Sequence, residues 1–354
     1  MHTKKLFTFT ELAQGSDSEN EDNAKQFDSS HQFYDNVYQC LFESAERSNE
    51  IKGAAQPESY LHTYAILDAA KLPFVLSGLL ATSGLTYASL FQGETQEELE
   101  EYAPYIVQLD QSNSFTNQLL PAPKQVNKLW DKGLGVFFRS SLSLKDLRQH
   151  FRKFIRIRNE QNEWLYFRFW EPNNVHASVL LQNDIYSPLV SVWMNASIDK
   201  VLFPQLSSGV VMKVHAPETI NSMEQDVTNT LKLSPSTLRL RQVDLLALQN
   251  TKRSIFIHKV AESLAQNHAS LSAHTNIDEL TVLYMQACER SYTIEQAAYD
   301  YIRCQLALKT HDTSFEQIEK HVDPELALSP VNRGKLSWAF ICDTYRTSNT
   351  ALEA

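Results

Sequence analysis

One stretch of the chain, residues 133–176, constrains the fold most strongly, because its hydrophobic period changes twice along the way. It opens with the apolar run 133–139, bounded by glycines, which predicts a buried strand. Ser143 is a good helix N-cap, and apolar residues then recur at helical spacing as far as Phe154. From Ile155 onward apolar and basic residues alternate, so this pattern predicts a second strand.

A third strand, over residues 163–170, follows the polar turn 159–162, and Pro172 ends it because proline cannot donate to a strand ladder. Alternation along this strand predicts two faces with different roles. One face carries Leu165, Phe167 and Phe169, and the other carries Trp164, Tyr166, Arg168 and Trp170. The unit of strand, helix, strand, turn and strand is typical of an α/β or α+β sheet.

The rest of the chain divides by its patterning. Residues 13–31 are acidic and nearly devoid of apolar groups, which predicts a mobile segment before a helix that begins at His31. Strand and helix patterns alternate over residues 60–215, and only helical patterns follow Pro217. We therefore predict an α+β fold, with an α/β-like N-terminal lobe, whose mixed sheet is flanked by helices, and an α-helical C-terminal lobe. The predicted domains are an N-terminal extension (1–50), an α/β lobe (51–216) and a helical lobe (217–354).

Composition limits the possible functions. A formal charge of −10 and a pI of about 5.6 argue against a general nucleic-acid binder, which needs a basic face. The four cysteines are widely spaced, which indicates reduced thiols, and we see no signal peptide or membrane-spanning run, so we expect a cytoplasmic protein without stable membrane association. The sequence contains no HExxH, GxGxxG or P-loop motif, so we predict neither a metal nor a cofactor.

Two predicted strands end in a carboxylate, His62–Asp68 (HTYAILD) in Asp68 and Tyr105–Asp110 (YIVQLD) in Asp110. Active sites of α/β proteins form at the carboxyl ends of strands, so a hydrolase-like enzyme that uses both residues is an alternative hypothesis. Aspartates also commonly end strands and cap the next turn, which would make both residues structural. We favour this second interpretation and predict no enzymatic activity.

Arg168 and its neighbours are the candidates for partner binding. A guanidinium on a strand with a buried side needs a carboxylate partner, and Asp68, Asp110 and Glu171 are available. The pair could be structural, or it could form a docking site for a peptide or a carboxylate. Aromatic residues beside a basic strand could likewise pack in the core or hold a partner segment. The predicted partner-binding set is Arg156, Arg158, Trp164, Tyr166, Arg168 and Trp170.

Three stretches together resemble a bacterial family: YAILD at 64–68, PYIVQLD at 104–110 and, above all, the run 135–172. They are similar to the domain (domain of unknown function 4123) that is associated with type VI secretion effector chaperones, also called adaptors. Asp68, Asp110, Arg139, Phe169 and Pro172 fall on the family's structural motif, as does Arg168. Residues 240–268 also resemble the long helix that begins the family's C-terminal half, so the similarity extends over 60–345.

The resemblance implies a carrier without enzymatic activity. Such proteins bind the N-terminal region of a toxic effector in the cytoplasm of the producing cell, keep it soluble and help load it onto the VgrG spike protein. We would then expect a groove between the two lobes that shields apolar effector segments. Two other hypotheses stay open, namely the enzyme with Asp68 and Asp110 and a structural subunit of a larger assembly.

Overall fold

A computed structural model describes residues 7–12, 23–42, 61–121, 129–181, 184, 186–194, 197–205, 208–214, 238–273, 275–309 and 311–345. The chain divides into two compact units, Met1–Thr251 and Lys252–Ala354. The first unit contains β-sheets with helices, and the second is helical, so the predicted α+β class is confirmed. The division lies further along the chain than the predicted boundary at 216/217.

Ten strands are described, and they form two sheets. In chain order they are β1 (Phe7–Leu12), β2 (His62–Asp68), β3 (Tyr87–Ser89), β4 (Pro104–Gln108), β5 (Gly135–Ser140), β6 (Arg156–Asn159), β7 (Trp164–Tyr166), β8 (Ile198–Gln205), β9 (Ser208–Val214) and β10 (Arg239–Leu240). The large sheet has the order β1-β9-β8-β5-β2-β4-β3, and the small sheet has the order β10-β6-β7.

Seven α-helices precede the long helix at Gln242 in the described part of the first unit. They are α1 (Asn23–Phe42), α2 (Leu76–Ser83), α3 (Glu94–Leu99), α4 (Ser114–Leu119), α5 (Leu144–Arg152), α6 (Pro172–Ala177) and α7 (Pro188–Met194). Short 3-10 turns cover Ala69–Lys71, Glu100–Tyr102, Trp130–Lys132 and Ser178–Leu181. Ser143 caps α5 as predicted, because its side chain accepts a hydrogen bond from the Asp146 amide at 3.2 Å.

The point where the chain divides lies within the long helix α8 (Gln242–Asn267). The second unit continues with α9 (Ala269–Ser272), α10 (Ile277–Glu289), α11 (Glu295–Leu308), α12 (Phe315–Val322) and α13 (Pro330–Tyr345). Its core is a separate apolar cluster that includes Tyr292, Tyr301 and Phe315. Among the residues that the structure describes, no helix combines the length and the apolar character needed to cross a bilayer.

Every pairing in the large sheet is antiparallel, and the parallel pair β6–β10 belongs to the small sheet. The strand β2 occupies the residues that the sequence predicted, and it lies between β5 and β4. Gly135 is required at the start of β5, since a Cβ there would lie 1.8 Å from the carbonyl oxygen of Ile66. This close approach brings the end of β2 against the segment that precedes β5.

The N-terminal extension contributes to the fold in a way that the sequence did not reveal. Its strand β1 forms the edge of the large sheet, and Phe7 pairs with Val214 of β9. Helix α1 begins at Asn23, inside the segment that we expected to be mobile, and residues 13–22 lie outside the described part. Phe33, Val37 and Leu41 of α1 are buried in the core of the first unit.

The predicted strand over 163–170 is shorter in the structure. Strand β7 ends at Tyr166, the Phe167 amide makes one more bond to the Ile155 carbonyl at 2.8 Å, and the chain then turns, with the Glu171 amide donating to the Arg168 carbonyl at 3.1 Å. Phe169 enters an aromatic core, where its ring centroid lies 5.4 Å from that of Phe151 and 5.8 Å from that of Trp193. Alternation therefore ends at Tyr166, and Trp170 does not share the exposed face of Trp164.

Candidate partner-binding groove

A buried carboxylate forms the centre of the site. Asp68 is the last residue of β2, is 2% exposed, and accepts a hydrogen bond from the Ala70 amide at 3.0 Å. Its other oxygen accepts one from the Trp170 indole at 3.0 Å and forms an ion pair with Arg168. The Arg168 guanidinium also lies 3.4 Å from Glu171, which pairs with Lys71 at 2.8 Å. The predicted carboxylate partners of Arg168 are thus confirmed for Asp68 and Glu171.

The charge of Arg168 is firmly maintained. Burial lowers the pKa of its guanidinium, but the charges of Asp68 and Glu171 and the hydrogen bond from Arg168 to Asp68 outweigh burial and raise it above its ordinary value. Burial, followed by the nearby charge of Asp68, raises the pKa of the Tyr166 hydroxyl. Tyr166 therefore stays neutral at physiological pH and can both donate and accept a hydrogen bond.

Asp110 does not take part in this centre. Because β2 and β4 are antiparallel, Asp68 lies opposite Pro104, and Gln108 lies opposite Tyr64 at the other end of the ladder. At about 3.4 Å per residue, the two carboxylates are separated by roughly 13 Å or more along the strands. Asp110 instead accepts hydrogen bonds from the Ser112 hydroxyl and amide, which lower its pKa.

The hypothesis of an enzyme that uses both aspartates assumed that their strand ends meet, as in a parallel sheet. The antiparallel register places them at opposite ends of the β2–β4 ladder, so the structure does not bring Asp68 and Asp110 together. Arg139 is also remote from Asp68, since it pairs with Thr63 near the start of β2 and is buried. Pro172 opens helix α6, directly after the Arg168 turn.

The exposed face of the β6–β7 hairpin carries two arginines and two aromatic residues. Arg156 lies opposite Tyr166, and Arg158 lies opposite Trp164. The Arg158 guanidinium lies 4.6 Å from the centroid of the Trp164 ring, and that of Arg156 lies 5.4 Å from it. Trp164 is 53% exposed and Tyr166 is 50% exposed, although both are large and largely apolar.

A groove of about 650 Å³ lies along this face, within the first unit. Its apolar floor is formed by Leu90, Phe91 and Ile155, which are buried. The remaining lining residues are Asp68, Ala70, Gln92, Thr95, Leu99, Tyr102, Arg152, Arg156, Trp164, Tyr166 and Arg168. Leu99 and Tyr102 are exposed like Trp164 and Tyr166, so the groove has large apolar side chains on both of its walls.

The structure places the six predicted partner-binding residues in three different environments. Arg156, Arg158, Trp164 and Tyr166 share the hairpin face, and Arg168 lies at the end of the groove in its ion pair. Trp170 is completely buried, so its side chain is not available at the surface.

Sequence reasoning missed the opposite wall of the groove, made by Leu99 and Tyr102, and the floor residues Leu90 and Phe91. These residues lie more than fifty positions before the hairpin in the chain. The exposed aromatic residue in an otherwise acidic segment, Tyr102, is the one local signal that could have pointed to them.

Comparison with known proteins gives one match. Residues 63–182 match the family model described as Domain of unknown function (DUF4123). The matched segment is 120 of the 354 residues, and all residues that line the groove fall within it. No curated protein and no solved structure matches the chain. The DUF4123 segment thus contains both the Asp68 centre and the groove.

Proposed function

We propose that this protein is a chaperone or adaptor for a type VI secretion effector, without enzymatic activity of its own. In this role it binds the N-terminal region of the effector in the cytoplasm, keeps it soluble and helps load it onto the VgrG spike. The sequence resemblance over 60–345 and the DUF4123 match at 63–182 support this class of function. The proposal needs a surface that accepts another polypeptide.

The observation that carries the proposal is the exposure of Trp164 and Tyr166 beside a groove of about 650 Å³. Large aromatic residues at the surface are enriched in protein interfaces, where burial of the ring contributes most of the binding energy. Here the ring of Tyr166 is supported by other rings, because it lies 6.0 Å from that of Phe91 and 5.9 Å from that of buried Trp170, and the guanidinium of Arg158 lies 4.6 Å from the centroid of the Trp164 ring. A rigid aromatic surface loses little entropy when a partner covers it.

The hypothesis of an enzyme with Asp68 and Asp110 loses its geometric basis, because the two carboxylates lie at opposite ends of the β2–β4 ladder. The contacts of Asp68 favour a positioning role instead. It holds Arg168 and the indole of Trp170, and the latter supports the Tyr166 ring. The expectation of a groove between the two lobes stays a prediction.

Co-expression tests the proposal. The full chain is produced together with each protein encoded by the genes adjacent to its own, and any complex is analysed by size-exclusion chromatography with light scattering. We expect a stoichiometric complex that Trp164→Glu combined with Tyr166→Glu abolishes, because two charges then line the groove. Tyr186→Ala is a matched control, since Tyr186 is 54% exposed and does not line the groove.

A monodisperse chain that makes no complex with such a protein would overturn the proposal. A chain that instead self-associates with increasing concentration would favour the hypothesis of a structural subunit. Addition of the spike protein to the complex, followed by the same chromatography, tests the loading step.

A further inference from the structure

We propose that the open edge of strand β7 binds an extended segment of the partner as an added β-strand, and that Arg152 and Arg156 hold a carboxylate of that segment. The inference rests on the proposed function only in taking the occupant to be a polypeptide. It specifies how the groove binds its partner and which sequence chemistry the partner presents.

The hydrogen-bond pattern of the β6–β7 hairpin carries the first step. The Phe167 amide donates to the Ile155 carbonyl at 2.8 Å, and the Asn159 amide donates to the Glu163 carbonyl at 3.0 Å. Because bonded and non-bonded pairs alternate in an antiparallel ladder, Ile157–Leu165 is the bonded pair between them.

The two intervening pairs, Arg156–Tyr166 and Arg158–Trp164, are then non-bonded. In a non-bonded pair the backbone groups point away from the partner strand. The amides and carbonyls of Trp164 and Tyr166 therefore point outward from β7, which is the last strand of its sheet among the strands that the structure describes. Such a row of outward donors and acceptors is a template for another strand.

The charges beside this edge indicate the chemistry of the occupant. Among the described residues, no carboxylate lies within ion-pair distance of Arg152 or Arg156, although both line the groove. Burial and the nearby charge of Arg148 lower the pKa of Arg152, which is the response of a cation without a close anion. These cations stand out on a chain whose formal net charge is −10.

The element that forms the opposite wall has the reverse charge and so favours one orientation of the occupant, although the residues of this element that line the groove are Thr95, Leu99 and Tyr102. Helix α3 and the 3-10 turn after it contain Glu94, Glu97, Glu98, Glu100 and Glu101. A carboxylate of the partner is repelled from this wall and attracted to Arg152 and Arg156. Side chains of an added strand alternate between the two faces of the sheet, so every second one lies on the face of Trp164, Tyr166 and Arg156, and the apolar and acidic residues of the occupant share that face. The occupant is thus an extended segment with alternating apolar residues and one or more Asp or Glu.

Selection from a display library of random twelve-residue peptides on the full chain tests the inference. We expect enriched peptides with alternating apolar residues and at least one Asp or Glu. For a synthetic copy of such a peptide, Arg152→Glu combined with Arg156→Glu is expected to weaken binding by at least roughly tenfold, measured by fluorescence anisotropy. Lys145→Glu is the matched control, because Lys145 is an exposed cation on the same helix α5 and does not line the groove.

The backbone contribution is tested on both molecules. Tyr166→Pro removes an outward amide, whereas Tyr166→Ala removes the ring alone, so the proline variant is expected to bind at least roughly tenfold more weakly than the alanine variant. N-methylation of the peptide leaves the protein unchanged and so avoids any folding defect. We expect methylation at alternate residues to abolish binding and methylation at the residues between them to be tolerated.

The outcomes separate the inference from the proposed function. Absence of enriched peptides, uniform tolerance of N-methylation, or indifference to the arginine reversals overturns the added-strand inference. If an effector complex forms and survives Tyr166→Pro and the arginine reversals, the inference fails while the proposed function stands. If peptides bind as expected but no effector complex forms, the binding mode stands and the proposed function fails.

Discussion

The two units of the molecule each contain a carboxylate, arginines and an aromatic residue joined in one cluster, yet the clusters differ in exposure. In the first unit Asp68 is 2% exposed, while the Arg168 side chain is 38% exposed and the neighbouring Tyr166 lines an open groove. In the second unit Glu319 is 8% exposed, its partner Tyr292 is completely buried, and the side chains of Arg333 and Arg290 are 13% and 33% exposed. The same chemical groups therefore serve an open surface in one unit and a closed core in the other.

The closed cluster is held from several sides. The Tyr292 hydroxyl, which is 0% exposed, donates to Glu319 at 2.6 Å, and Arg333 lies 3.3 Å from the same carboxylate. Arg290 approaches it at 3.4 Å, and burial, followed by Glu319, raises the pKa of Tyr292. Asp323 accepts the amides of residues 327 and 328 at 2.9 Å each. Every group here is used internally, which is typical of a structural cluster.

The open cluster, around Asp68, leaves aromatic side chains exposed to solvent. Asp68 holds Arg168 and Trp170 in place, but the neighbouring residues Trp164 and Tyr166 are 53% and 50% exposed. A core cluster gains stability from burial of its aromatic rings, whereas an interface leaves that gain to the partner. The comparison thus predicts that changes in the second unit reduce stability and changes at the groove reduce binding.

The largest expected effect is in the closed cluster. Glu319→Ala removes the acceptor of Tyr292 and leaves Arg333, whose side chain is 13% exposed, with only Asp323 at 3.7 Å. We expect the second unit to lose about 3 kcal/mol of unfolding free energy, the usual cost of breaking a buried ion pair. Hydrogen exchange should show lost protection in α12 and α13.

Glu319→Gln is the control for this prediction, since it retains an acceptor for the Tyr292 hydroxyl and should show a smaller loss. Unchanged protection of α12 and α13 in Glu319→Ala would mean that the cluster contributes little and that the two clusters are not distinguished by stability.

The second effect in size belongs to the open cluster. Asp68→Asn leaves an acceptor for the Ala70 amide but removes the charge that pairs with Arg168. Since Arg168 is partly exposed and keeps Glu171, we expect a loss of about 2 kcal/mol, below the full cost of breaking a buried pair. Urea denaturation followed by tryptophan fluorescence measures it.

Asp110→Asn serves as the matched control, because Asp110 is exposed and only caps its own turn. Its denaturation midpoint should stay unchanged. A loss in Asp68→Asn as large as that in Glu319→Ala would show that the groove cluster is as structural as the closed one.

Local features of these sites were predictable from the sequence, and long-range features were not. The limits of β2 and the cap at Ser143 follow from periodicity and capping, which depend on neighbouring residues. The partners of Arg168 followed from the cost of an unpaired buried charge.

The direction in which strands pair is a different kind of information. The alternation of apolar and polar residues is the same in parallel and antiparallel strands. The sequence therefore did not show that Asp68 and Asp110 lie at opposite ends of the β2–β4 ladder. Likewise Leu90 and Tyr102 reach the groove only through the tertiary fold. The pairing of β1 with β9 joins residues about two hundred positions apart, and no local pattern indicates it.

Acidification affects both units through histidines that the folded state keeps neutral, His150 in the first unit and His268 in the second. In the first unit burial lowers the pKa of His150, although its hydrogen bond to the Val192 carbonyl opposes this, and in the second unit burial and Arg303 lower that of His268. A lowered pKa in the folded state means that the unfolded chain binds more protons below the ordinary histidine value of 6.5. Stability is therefore complete above that pH and falls as the pH decreases further.

The loss cannot exceed about 1.4 kcal/mol per pH unit for each histidine. We expect the urea concentration at the denaturation midpoint of the first unit to decrease as the pH is lowered from about 6.5 to about 5. His150→Gln should make this decrease with pH less steep. A slope that is the same in His150→Gln and in the unaltered chain would assign the acid sensitivity to other groups.

The smallest expected effect on stability is also the one that separates the two clusters most clearly. Trp164→Ala removes a ring that is 53% exposed, so we expect the unfolding free energy to change by no more than about 0.5 kcal/mol. Binding of an effector or a selected peptide should nevertheless weaken by more than roughly tenfold, because aromatic anchors dominate interface energies. Val282→Ala, at a residue that is 55% exposed on α10 of the second unit, should change neither quantity. If Trp164→Ala destabilised the fold as strongly as Glu319→Ala, its ring would be part of the core in solution, and the groove would have no exposed anchor for a partner.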